Sequence, residues 1–138
     1  MSRRLPLAVG VLIVALLASA CASKAEGPMQ ADWPEDIRSA PVVVRRAYAF
    51  AHEHPGVLSS IPCYCGCGVL GHTSNYACYI AGEDLDGNLV YDPHALGCSI
   101  CVDITLDASR LLEDGRSTAE IRSYIDSAYS RYGPSNMP

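Results

Sequence analysis

Positive charge is scarce in this sequence: ten Lys and Arg stand against fifteen Asp and Glu. A nucleic-acid binder needs a basic footprint, so this balance excludes one and leaves cations as the natural partners of an acidic surface. Large aromatics are also few. Trp33 and Phe50 are the single Trp and the single Phe, too few for an aromatic belt at a membrane surface. No internal repeat is present. No Ser/His/Asp arrangement, phosphate-cradling loop or paired-carboxylate site stands out, so a non-enzymatic role is expected.

No apolar run reaches the roughly 20 residues of a comfortable membrane span. The run from Leu7 to Ala20 is shorter, follows Arg3 and Arg4, and ends in small residues, which is the layout of a signal peptide over residues 1–20. Ser2-Arg3-Arg4 also has a faint twin-arginine look, but Pro6 sits where that pattern wants an apolar residue. The segment Leu17-Ala18-Ser19-Ala20-Cys21 resembles a bacterial lipobox, with Ala18 where leucine is usual. That resemblance implies an extracytoplasmic protein anchored to the cell membrane by lipid on Cys21. Removing Arg3 and Arg4 with the signal leaves eight basic and fifteen acidic residues.

What the sequence has in excess is cysteine. Beyond Cys21 there are six: Cys63, Cys65, Cys67, Cys78, Cys98 and Cys101. In a small exported domain this suits either a disulfide framework or a thiolate metal site.

The expected organisation is a tether over residues 21–37 and a cysteine-rich helical domain over 38–138. The fold class is mainly α: three main helices, an irregular Cys/Gly-rich loop and a short β-hairpin. The first helix is expected from Pro41 to about Glu53, capped by Ser39 or Ala40. Its apolar stripe is Val43, Val44, Ala47, Phe50 and Ala51. His54-Pro55-Gly56 breaks it, and Val57–Ile61 can form one further turn. Ile80 to Tyr91 reads as a hairpin around Asp86-Gly87. Its D-x-D-G spelling hints at a calcium loop, but lacks glycine at the sixth position and glutamate at the twelfth, so it reads as a solvated turn. Asp92-Pro93 should open a second long helix running to about Asp114 and stopping at Gly115. Ser117-Thr118-Ala119-Glu120 is a capping box for the last helix, whose buried face would be Ile121, Tyr124, Ile125, Ala128 and Tyr129.

The chemistry concentrates in Pro62-Cys63-Tyr64-Cys65-Gly66-Cys67. Cysteines two apart are poor disulfide partners for one another and good ligands on a loop that wraps a metal. On a helix beginning at Pro93, His94, Cys98 and Cys101 would fall on one stripe, with the C-x-x-C thiols lowered in pKa by the helix N-terminus. His72 and His94 lie within a few residues of a cysteine and are candidate ligands, whereas His52 and His54 are weaker ones. Tyr64, Tyr76 and Tyr79 would cover the thiols from water.

The PCYCGC run, followed by Gly71-His72-Thr73-Ser74-Asn75, Cys78, His94, Cys98-x-x-Cys101 and Glu120-Ile121-Arg122-x-x-Ile125, resembles the bacterial PCYCGC-motif lipoprotein family. The resemblance implies export and lipid anchoring and marks the cysteines as the site. It supplies no mechanism.

Three functions are therefore expected to compete. The first is binding of a thiophilic metal through Cys63, Cys65, Cys67, Cys78, Cys98, Cys101, His94 and His72, with Cu(I) preferred and zinc the alternative cofactor. An iron–sulfur centre fits less well outside the cytoplasm. Partners would be the metal ion, the membrane and a protein that donates or accepts metal. The second is a disulfide-stapled structural domain. The third is a thiol–disulfide oxidoreductase using Cys98 and Cys101, although the βαβ setting usual for such a pair is lacking.

Overall fold

The computed structural model describes residues 32–137, and the signal, the Cys21 anchor and most of the expected tether lie outside them. Among the described residues, five α-helices and one two-stranded hairpin make a mainly α domain. Helix α1 (Glu35–Arg38) leads into α2 (Val42–Glu53) and α3 (Pro55–Leu58). Two 3-10 turns follow, at Cys67–Leu70 and Tyr76–Cys78, then β1 (Ile80–Glu83) and β2 (Leu89–Tyr91). A further 3-10 turn at Pro93–Leu96 precedes α4 (Ser99–Glu113) and α5 (Thr118–Tyr129). No helix among the described residues is long and apolar enough to cross a membrane.

Helix α2 begins one residue later than the sequence suggested, because Pro41 itself occupies the N-cap position with extended backbone. Its core face is Ala47, Tyr48, Phe50 and Ala51, while Val43 is exposed. The helix ends at His54, which the following Pro55 holds out of helical geometry. Pro55 then occupies the first turn of α3, where its missing N–H costs nothing.

Helix α4 is the central element, packing against both α2 and α5. The capping box forms as expected: the Ser117 hydroxyl accepts from the Glu120 N–H and the Glu120 carboxylate accepts from the Ser117 N–H. Ile121 and Ile125 are buried beneath α5, but Tyr124 stands exposed beside Arg110. Upstream, Trp33 and Ile37 are buried in the same core, although they fall in the stretch read from sequence as tether.

The hairpin pairs antiparallel, with a register irregularity between Ile80 and Gly82. At its tip the Asp84 carboxylate accepts from the backbone N–H groups of Asp86 and Asn88, as a solvated turn does.

The expected helix from Pro93 does not form as one piece. Asp92 caps a short 3-10 turn by accepting from the His94 N–H, Gly97 interrupts it, and Cys98 is extended. Cys98 is thereby the N-cap residue of α4, and His94 sits on a separate turn. The i, i+4, i+7 stripe of one helix is replaced by two separate elements.

Candidate metal centre

Four segments bring seven of the eight sequence-selected ligands together, and the eighth, His72, lies on the stretch between the first two. The first is the motif loop. Gly66 adopts a left-handed conformation, φ 87°, that a residue with a side chain would resist. This turn folds the chain back so that Cys67 opens a 3-10 turn facing Cys63 and Cys65. The second segment delivers Cys78 on the Tyr76–Cys78 turn, 3.6 Å from Cys67 between sulfurs. The third carries His94, whose Nε2 lies 3.6 Å from Cys65 Sγ. The fourth is the start of α4: Cys98 and Cys101 have sulfurs 3.2 Å apart, and Cys101 Sγ lies 3.4 Å from Cys63 and 3.5 Å from Cys65.

All six are free thiols, so no disulfide joins the described cysteines. Cys63, Cys67, Cys78 and Cys101 are buried, whereas Cys65 and Cys98 are half-buried at one edge. Their ligand atoms assemble into four overlapping groups, each with all members within 4.8 Å. These are Cys65–His94–Cys98–Cys101, Cys67–His72–Cys78–His94, Cys63–Cys65–Cys67 and Cys63–Cys78–Cys101. His52 and His54 belong to none of them. His52 Nδ1 is 2.8 Å from the Tyr91 hydroxyl, and the His54 ring packs on Phe50.

His72 has the environment of a ligand. Its Nε2 lies 3.4 Å from Asp92 Oδ2, and its Nδ1 is buried with no hydrogen-bond partner among the described residues. An imidazole that faces a carboxylate with one nitrogen and offers the other as a lone pair is the usual arrangement of a metal-bound histidine. Asp92 thus touches both histidines, facing the His72 imidazole with one oxygen and accepting from the His94 backbone N–H with the other at 2.8 Å.

Close packing makes the thiols compete for charge. Hydrogen bonds from Cys101 and then Cys78 push the Cys63 thiol down. Burial, followed by the negative charge on Cys63, pushes Cys65 and Cys67 up. The hydrogen bonds to Cys63 and Cys78, then burial, push Cys101 up as well. The helix N-terminus therefore does not lower Cys101, as the sequence suggested; the hydrogen-bonded cluster overrides it. Hydrogen bonding among the sulfurs thus favours negative charge at Cys63 over its neighbours.

Three supporting elements surround the sulfurs. Thr105, Asn75 and Tyr79 form a fully buried polar network behind Cys101. The Thr105 hydroxyl lies 2.6 Å from Asn75 Oδ1 and 2.8 Å from the Tyr79 hydroxyl, and Asn75 Nδ2 donates to the Cys101 carbonyl. Tyr64 covers the motif and donates to Asp126 on α5. The C-terminal segment passes over the loop. Gly133 approaches so closely that a Cβ there would meet the Tyr64 carbonyl oxygen at 2.8 Å. Beyond it, Asn136 Nδ2 donates to Cys67 Sγ and to the Ser74 carbonyl. Asn136 carried no signal in the local sequence, because it reaches the site only through tertiary packing, and Asp92 read only as a helix cap, its approach to His72 being set by the fold.

No curated protein and no solved structure matches the chain. The family described as proteins of unknown function with a PCYCGC motif matches over residues 11–138. With Pro62–Cys67 at the centre of the thiol cluster, the chain belongs to that PCYCGC-motif family.

Proposed function

We propose that this protein is an exported lipoprotein, anchored through Cys21, that binds Cu(I) in its cysteine cluster and stores it or hands it on. One observation carries the reading: six free thiols and two imidazoles from separate segments converge, all in overlapping groups within 4.8 Å. A fold that only needed apolar filling would not crowd buried thiols beside an imidazole nitrogen that lacks a partner. Thiolate-rich sites are soft and select Cu(I) or zinc over hard cations.

The half-buried edge formed by Cys65, Cys98 and His94 is the route by which metal would enter or leave, by ligand exchange with a donor or acceptor protein. Zinc is the second reading, favoured by one specific group. Cys65, Cys98, Cys101 and His94 supply three sulfurs and one nitrogen, a complete tetrahedral set.

The test is elemental analysis of the protein purified anaerobically without added metal, together with a free-thiol count. Copper at stoichiometric levels or above, displaced only by strong Cu(I) chelators, is the expected result. Zinc alone would select the second reading. Three disulfides with no metal taken up after reduction would replace both with a structural role for the cysteines.

A further inference from the structure

The arrangement of the four groups bears on how many ions the cluster holds. Five cysteines, Cys63, Cys65, Cys67, Cys78 and Cys101, each belong to two of the groups, while Cys98 and His72 belong to one. Any two of the three-sulfur or mixed groups meet at a shared ligand. Cys63 joins the two all-sulfur groups, Cys65 and Cys67 join the motif trio to the histidine-containing groups, and Cys78 and Cys101 do the same for the other trio.

Two tetrahedral ions fit this badly. The two four-member groups both require His94, and together they leave out Cys63, which is fully buried at the centre. Three-coordinate ions fit well, because a thiolate sulfur can bridge two of them.

The geometry points to a tetranuclear Cu(I)–thiolate cluster, one ion in each group, with Cys63, Cys65, Cys67, Cys78 and Cys101 bridging. This rests on the Cu(I) reading above and extends it to nuclearity. His94, whose Nε2 lies against Cys65, completes the ion held by Cys65, Cys98 and Cys101. His72, through its unpartnered Nδ1, completes the ion held by Cys67 and Cys78. The remaining ions take Cys63–Cys65–Cys67 and Cys63–Cys78–Cys101. Every ion then has at least three ligands, and no ligand is idle.

The distances allow it. Three sulfurs at about 2.3 Å from a central ion lie about 4 Å apart. The metal-free sulfurs in contact are 3.2–3.6 Å apart, so loading opens the cage by a few tenths of an ångström. The charge is also modest. Six thiolates around one divalent ion would bury four negative charges, whereas around four Cu(I) ions they leave two. Each thiol that ligates exchanges its proton for metal, so nothing is oxidised or reduced.

The experiment is an anaerobic titration of the reduced full chain in detergent with Cu(I), against a chromophoric Cu(I) chelator, followed by copper X-ray absorption. Saturation at four Cu(I) per chain, sulfur-dominated coordination and a Cu–Cu scattering path are expected. Cys63→Ser, which removes the sulfur shared by the two all-sulfur groups, should lower saturation below four. Saturation below four in the unaltered protein, or no Cu–Cu path, overturns the cluster while leaving Cu(I) binding intact. Four ions retained in Cys63→Ser also overturn the bridging scheme. No Cu(I) uptake at all overturns the cluster and the binding function together.

Discussion

Asn136 pairs with Cys63 as a second strand would: its side-chain oxygen accepts from the Cys63 N–H at 2.7 Å, and its backbone N–H donates to the Cys63 carbonyl at 3.1 Å. The same amide reaches Cys67 Sγ and the Ser74 carbonyl. One side chain therefore satisfies polar groups on both arms of the motif loop.

Asn136→Ala should loosen that loop. It leaves the buried Cys63 N–H without its acceptor, a cost of about 1–3 kcal/mol. Urea denaturation of the reduced, metal-free protein should show the loss, and the loaded protein should release metal faster to a chelator. A midpoint and a release rate equal to those of the unaltered protein would mean that the clasp does not support the loop.

Asp92 acts on the site through the two histidines. Asp92→Asn keeps an acceptor for the His94 N–H but removes the negative charge 3.4 Å from His72 Nε2. Metal affinity should fall about 10–100-fold, the usual effect of removing a carboxylate that orients a ligating histidine. The exposed Asp84→Asn serves as control and should leave affinity unchanged. Equal affinities for the two variants would remove Asp92 from the site.

Alkaline pH should weaken the fold, and Tyr48 should contribute. Its hydroxyl donates to the Asp92 carbonyl at 2.7 Å, and burial followed by the Asp92 charge raises its pKa well above the usual 10.0. A raised folded pKa gives stability that is present below the unfolded value and lost as pH rises through the folded one, because the unfolded chain ionises first. Tyr48→Phe should cost about 1 kcal/mol at neutral pH through the lost hydrogen bond. It should also make the decline in the urea midpoint shallower above about pH 10. The same slope in both proteins would show that Tyr48 ionises alike folded and unfolded.

Export and anchoring predict a diacylated Cys21 at the mature N-terminus, since the apolar stretch before it ends in small residues. Intact mass and fatty-acid labelling of the native protein check this. Cys21→Ala should abolish labelling and release the protein from the membrane fraction. An unmodified N-terminus in the native protein would remove the anchor.

Local features were readable from the chain, and features set by distant contacts were not. The Ser117 capping box, the Asp86-Gly87 hairpin and the stop at Gly115 depend on neighbouring residues, and each stands where the sequence put it. The break at Gly97 was missed because Asp92-Pro93 is a sound helix opening in isolation. Convergence of His94 with Cys98 and Cys101 survived that error, since a 3-10 turn and an extended N-cap residue reach the same place by another path. Tyr124 and Val43 match the helical period yet lie on exposed faces, because the core is narrower than the apolar stripes. Asn75 and Thr105 are ordinary polar residues in sequence; only their burial together behind Cys101 gives them a role.

The clasp between Asn136 and Cys63 also sets an order of events. It joins residues 73 positions apart, and closing so long a loop is a late step in folding. Before closure the chain offers only fragments of the site: the Cys63–Cys65–Cys67 trio and, separately, the Cys98–Cys101 pair. If the protein is exported and binds metal as proposed, neither fragment would hold an ion as the assembled cage would, so loading would belong to the far side of the membrane, with the latch that completes the cage as its timer.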